Sequence, residues 1–292
     1  MTPPDPSDAT PFDATPFDAT PFDATPFDTS LFDPTLNDDY MPSRRVPDAD
    51  ALVAAWARDS AAARQAFAPL ELAYGAGEHE RLDVFSPEGA ARATLLFIHG
   101  GYWQAFYKAS FSYLAPPLLA AGLRVAVISY DLAPAVTLGH IVGQARRATA
   151  FVAGQFAGPL VVAGHSAGGH LAAMIHATDW AAEGLPGVTL AGGIGISGLY
   201  DLGPLRRTEL QPALRLSPEV ARALSPACLT PTSDAPFIAA VGADESGAFL
   251  GQSLTLARAW PGVVRGVRQL PGRHHFDAPD ELPALARALL RE

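Results

Sequence analysis

Leu160 to His170 is the stretch with the most chemistry in it: an apolar run ends on small residues around one serine and then turns helical. Gly164, Ser166 and Gly168 have the G-x-S-x-G spacing of a nucleophile elbow, a turn that forces the serine into strained backbone geometry and holds its hydroxyl clear at a strand end. The spacing also arises by chance in chains rich in glycine and alanine, so the flanks decide. Leu160 to Ala163 read as a buried strand, and Leu171 to His176 as a helix with Leu171, Met174 and Ile175 on one face. A hydroxyl nucleophile also needs donors for the oxyanion it creates. His99-Gly100-Gly101-Tyr102-Trp103 follows the apolar run Ala93 to Ile98, and paired glycines there allow backbone N–H groups to approach a ligand closely. His99 reads as a brace for that loop rather than a base, because the expected order is serine, acid, histidine.

The acid and the base are sought after the later strands. Asp244 and Glu245 stand just past the apolar run Phe237 to Val241, and a carboxylate there can orient a histidine. His274 and His275 are neighbours in the glycine-led loop Pro271 to Asp277, and only one of them can face the serine. Trp103 and Tyr102 attach to backbone beside the expected acyl carbon, where they should narrow the acyl pocket or wall the leaving-group side. The His, Cys and carboxylate positions lack metal-ligand spacing such as H-E-x-x-H, so neither a metal nor an organic cofactor is expected. Cys228, the one cysteine, has no glycine turn around it and reads as a packing residue.

Those groups need elements to position them. A helix is expected from Asp48 or Asp50 through about Phe67, then a hairpin of Leu70 to Tyr74 with Arg81 to Phe85. Ala93 to Ile98 is apolar throughout, as in a strand buried on both faces of a parallel sheet. Helices near Ser110 to Ala121 and Leu138 to Phe156 alternate with strands at Arg124 to Ser129, Leu160 to Ala163, Leu190 to Ile196, Phe237 to Val241 and Arg268 to Leu270, and a last helix covers Glu281 to Leu290. Such alternation specifies an α/β fold, a mostly parallel, doubly wound sheet with helices on both faces. Residues 199–233 break the rhythm and read as a cap-like insertion over the active face, with a helix start at Ser217-Pro218-Glu219.

Net charge is −10, but residues 1 to 39 carry nine aspartates and no basic residue, which leaves the remainder with 21 acidic groups against 20 basic. A near-neutral domain has no electrostatic footprint for nucleic acid. The acidic part repeats Asp-Ala-Thr-Pro-Phe four times from Asp8 to Phe27, with a degenerate fifth copy at Asp28 to Phe32. A proline every five residues forbids a helix or a central strand, so residues 1–45 are expected to be a disordered tail on a domain of residues 46–292. Without a membrane-spanning run, a signal-like N-terminus or a cysteine pair, a soluble cytoplasmic protein is expected. Its partner would be a small-molecule ester or amide, with neither nucleic acid nor membrane involved; a homodimer is compatible with this.

As a set, His99-Gly100-Gly101-Tyr102-Trp103, Gly164 to Gly169, Ile196 to Leu202, Val241-Gly242 with Glu245-Ser246, Phe249, Gln252-Ser253, and His275-Phe276-Asp277 resemble the α/β-hydrolase branch that contains the kynurenine formamidases (arylformamidases) and their esterase-like relatives. The resemblance implies Ser166 as nucleophile and His275 as base, and it favours Glu245 as acid, with Asp244 as the alternative. Tyr102 stands where lipase-type loops have a third glycine, so the implied oxyanion hole runs over Gly100, Gly101, Tyr102 and Ala167, with the N–H groups of Gly101, Tyr102 and Ala167 as donors. The implied activity is release of a formyl or acetyl group from an aryl amide or ester, the formation of kynurenine from N-formylkynurenine being the leading case. A general short-chain carboxylesterase is the alternative, and a non-catalytic binding protein on the same fold is the reading from another class.

Overall fold

In a computed structural model the chain is described from residue 31 to residue 291. The repeats of Asp8 to Phe27, expected to be disordered, lie outside the described residues. Eight strands form one sheet: β1 Leu70–Ala73, β2 Arg81–Phe85, β3 Ala93–Ile98, β4 Leu123–Ile128, β5 Leu160–His165, β6 Gly192–Ile196, β7 Phe237–Gly242 and β8 Val267–Leu270. Their order is β1-β2-β4-β3-β5-β6-β7-β8. The expected opening hairpin is there, β2 runs antiparallel to both β1 and β4, and every later pairing is parallel.

The helices are α1 Pro34–Tyr40, α2 Pro42–Arg45, α3 Ala49–Ala66, α4 Ala115–Ala120, α5 Leu138–Gln155, α6 Ala167–His176, α7 Gln211–Leu214, α8 Pro218–Ala223, α9 Gly247–Ala259 and α10 Leu282–Leu289. Central strands are buried along their whole length because each face carries its own core. Leu95, Phe97, Val125, Val127, Val161 and Ala163 point to one side, where they meet Trp56 of α3, Leu118 of α4 and Leu285 of α10. Their neighbours Leu96, Ile98, Ala126, Ile128 and Val162 point to the other, against α5, α6 and α9. This alternation is the period of two of a pleated strand with apolar residues on both faces. Helix α6, expected to bury one face, is buried on all ten residues, since the sheet lies beneath it and other helices and the insertion surround it.

Three features depart from the sequence reading. Residues 33–45 are not tail. Asp33 caps α1 by accepting from the Leu36 N–H at 3.1 Å, and Asn37, Tyr40, Met41 and Pro42 are buried against the domain, so the folded unit begins about a dozen residues before Val46. The pentapeptide rhythm hides this, because Pro34 that looks like one more interruption is a helix start. The insertion 199–233 does not roof the site. Its Leu205, Leu214, Leu216, Ala221 and Leu224 pack into the core on the α6 side, and it seats α1 through Glu209 with Asn37 and Arg207 with Asp33. Ser217 caps α8 as expected. Cys228 lies exposed at the end of a short 3-10 turn, so it is no packing residue.

One buried charge cluster matters for the site. The Asp83 carboxylate of β2 has no solvent exposure and accepts from Arg64 of α3 and from Lys108 Nζ at 2.7 Å. Lys108 begins the 3-10 segment Lys108–Leu114, and the Ser60 hydroxyl of α3 bonds that same segment at Ser110 and Tyr113. A carboxylate taken out of water is tolerated only when paired in this way. Its pairing locks α3 and the 3-10 segment together on one edge of the sheet.

Candidate active site

Parallel strands deliver their carboxyl ends to one edge, and pairings of Ile98 with Gly164, His165 with Ile196 and Gly242 with Leu270 bring the loops after β3, β5, β6, β7 and β8 side by side. Ser166 sits between β5 and α6 at φ 54°, ψ −118°, a conformation that costs a non-glycine residue roughly 1–3 kcal/mol. Ladder bonding holds it there, with the Ser166 N–H donating to Ile196 O at 2.8 Å. The flanking glycines are steric necessities: a Cβ on Gly164 would lie 2.0 Å from Gly168 O, and one on Gly168 would lie 1.9 Å from Ile98 O. Backbone from the turn and from β3 fills the space that any side chain would need.

The loops after β7 and β8 are laced to each other. Ala243 N–H donates to Leu270 O and Asp244 N–H to Arg273 O, at 2.9 and 3.0 Å. That lacing turns Asp244 outward to solvent and Glu245 inward. Glu245, its side chain 2% exposed, accepts from His275 Nδ1 at 2.7 Å through Oε2, while Oε1 accepts from Gly242 N–H at 2.8 Å and from the Ser197 hydroxyl. Both carboxylate oxygens are thus engaged. Asp244, the alternative acid, makes no such approach. His274 is used locally, where its Nδ1 lies 3.0 Å from Asp277 and 3.2 Å from the Phe276 N–H.

His99 braces its loop as expected, with Nδ1 donating to Gly100 O at 2.8 Å and the ring stacked 4.2 Å from Tyr130. Burial pulls its pKa down to about 4. Gly100 lies under Ser166, since a Cβ there would come 3.1 Å from that of the serine. Gly101 turns the chain at φ 98°, and Tyr102 and Trp103 follow at 50° and 57°. Ala167 is the first residue of α6, where an N–H has no intrahelical acceptor.

Ser166, His275, Gly101 and Tyr102 line one cavity of about 160 Å³, together with Met41, Pro42, Ser43, Trp56, Phe106, Phe111, His165 and Phe276. Trp103 is not among them. It is fully buried in the core, edge-on to His170 at 5.0 Å. The tryptophan that does wall the cavity is Trp56 of α3, some fifty residues upstream and held by the Asp83 cluster. Ser166 itself is only 2% exposed, and Met41 to Ser43 line the same cavity.

Trp56, Met41 to Ser43 and Ser197 were missed from sequence as site residues. Only the resemblance in Ile196 to Leu202 marked the last of them. His165 is fully buried beside the site, its ring 4.7 Å from that of His275, and desolvation holds its pKa well below the ordinary value.

Among the described residues no helix is long and apolar enough to cross a membrane. A model described as the alpha/beta hydrolase family matches residues 95–291. The kynurenine formamidase of Salmo salar is 34% identical over 225 residues, 73% of this chain and 76% of that protein. A crystal structure from Silicibacter sp. TM1040, proposed to be a thioesterase, is 35% identical with a TM-score of 0.78, covering 85% of this chain and 94% of that one. A thermostable carboxylesterase from a metagenomic library shares the fold alone, at 20% identity and a TM-score of 0.61 over 82% of this chain and 94% of its own. With sheet order, elbow and relatives in agreement, the chain belongs to the α/β-hydrolase family and groups within it with the kynurenine formamidases.

Proposed function

We propose that this hydrolase transfers a small acyl group, formyl or acetyl, from an aryl amide or ester to water, with N-formylkynurenine as the leading substrate. Ser166 is the nucleophile, His275 the base and Glu245 the acid. His275 Nε2 takes the proton of the Ser166 hydroxyl as Oγ attacks the acyl carbon, and Nδ1–H stays hydrogen-bonded to Glu245, which stabilises the imidazolium. The N–H groups of Gly101 and Tyr102, on a loop that Gly100 allows to lie against the serine, and that of Ala167 at the start of α6 receive the oxyanion. His275 then gives its proton to the departing aryl amine or phenol, and water cleaves the acyl-enzyme by the same steps in reverse, releasing formate or acetate.

The cavity carries the choice of substrate. Apolar cavities of about 150 Å³ hold one benzene molecule, so about 160 Å³ walled by Trp56, Phe106, Phe111 and Phe276 is of the size of one aromatic ring and leaves little room for a long acyl chain. Those rings also suit an aryl leaving group by stacking and edge contacts. Each surplus methylene in a closed pocket costs roughly 1–3 kcal/mol. Activity on p-nitrophenyl esters is therefore expected to fall steeply from formyl and acetyl to hexanoyl, with N-formylkynurenine hydrolysed. Flat or rising kcat/KM with chain length would remove the narrow pocket, and ester hydrolysis without any turnover of N-formylkynurenine would leave a short-chain carboxylesterase.

A further inference from the structure

The two residues just before the cavity-lining Met41 grip the loops of the site. Tyr40, the last residue of α1, is buried, and its backbone carbonyl accepts the Tyr102 hydroxyl. Its phenol oxygen accepts from Gln252 Nε2 at 2.7 Å, and its ring lies 5.9 Å from Phe249, which in turn lies 4.6 Å from His275. Gln252 is fully engaged: it also donates to Asp201 O and accepts the N–H groups of Tyr200 and Asp201. One residue earlier, Asp39 O accepts the hydroxyl of Ser246 at 2.7 Å, and Ser246 is the buried neighbour of Glu245. Two consecutive carbonyls of one short segment thus hold the glycine loop on one side and the acid loop on the other.

The glycine loop needs such a hold. Tyr102, Trp103 and Phe106 all have positive φ, at 50°, 57° and 72°. Three L-residues in that region store strain of roughly 1 kcal/mol or more each, which persists only where the surroundings over-determine the backbone. A loop released from its tether would relax, and N–H groups displaced by about 1 Å lose much of their effect on a developing oxyanion.

We propose that Tyr40 is a positioning residue for catalysis: with Asp39 it tethers the oxyanion loop through Tyr102 and the acid loop through Ser246. This rests on the serine-hydrolase reading above. The test compares the full chain with a chain starting at Leu31, with Tyr102→Phe and with Ser246→Ala, using p-nitrophenyl acetate turnover, fluorophosphonate labelling rate and melting temperature. Removal of residues 1–30 should leave kcat and KM unchanged. Tyr102→Phe keeps the ring and loses only the tether, so kcat and the labelling rate should fall together by about 10- to 100-fold with KM held within about twofold. Ser246→Ala, which releases the acid side, should lower kcat by roughly 3- to 10-fold with KM again held. Full kcat in Tyr102→Phe and Ser246→Ala, or a rise in KM at unchanged kcat, would overturn the tether while the full chain still labels. A full chain that takes up no fluorophosphonate would instead overturn the hydrolase reading, and the tether with it.

Discussion

Asp244 and Glu245 have nearly the same chemistry, and backbone hydrogen bonding separates them. The Asp244 N–H goes to Arg273 O, so its carboxylate faces water, whereas Glu245 reaches His275 at 2.7 Å with its other oxygen already satisfied. A triad acid works by fixing the tautomer and orientation of the base, and its loss costs about 10³-fold or more in kcat. Glu245→Gln should show a loss of that order in steady-state kinetics, with Asp244→Asn within about twofold of the parent; the opposite ranking would move the role to Asp244. The same reasoning separates the two histidines. Ser166→Ala and His275→Ala should each abolish turnover with unchanged circular dichroism, and the double variant should be no worse, because members of a triad act as a unit. An active His275→Ala beside an inactive His274→Ala would show that the base has been misassigned.

Among the elements, the elbow is the least forgiving. Gly168→Ala would drive a methyl group to 1.9 Å from a carbonyl of β3, and backbone in the middle of a sheet cannot yield. Urea unfolding should show it destabilised by about 3 kcal/mol or more, or the variant should fail to accumulate as folded protein. Gly251, within α9, is the contrasting case, since a Cβ there meets nothing within 4 Å. Gly251→Ala should raise stability by about 0.5–1 kcal/mol in the same assay, the ordinary gain of alanine over glycine in a helix. A loss at Gly251 as large as that at Gly168 would mean that the space around a Cβ does not separate the two positions.

At the scale of the whole molecule, buried histidines make stability depend on pH. Burial holds His99, His170 and His176 neutral down to about 4, each with one ring nitrogen against a backbone carbonyl at 2.7–2.9 Å. In the unfolded chain each titrates near 6.5. Between these values the unfolded state binds more protons, so stability is full above about pH 6.5 and falls as pH drops toward about 4. By pH 5 each histidine should have withdrawn about 2 kcal/mol. Urea denaturation at pH 7, 6 and 5 checks this, and a flat profile would show that these rings are protonated or solvated in the folded state.

Much of this architecture is legible in the sequence because it depends on local pattern. Apolar runs bounded by turns specify the strands, glycines at fixed offsets mark the elbow and the glycine loop, and chain order puts Ser166, Glu245 and His275 after the parallel strands β5, β7 and β8. The pairing of Glu245 with His275 is different in kind. It follows from hydrogen bonds between two loops that β7 and β8 bring together, and neither loop carries a local mark of the other. The cavity wall was harder still to read. Trp103 stands beside the chemistry in sequence and is buried away from it, while Trp56 and Met41 to Ser43 stand far away in sequence and enclose it. Periodicity identifies which residues bury a face, but the partner of that face is chosen by long-range packing. The proline-punctuated N-terminus shows the same limit: Asp33 to Tyr40 are held by partners that the insertion offers Asn37 and α9 offers Tyr40, contacts at separations of 172 and 212 residues that no local pattern encodes.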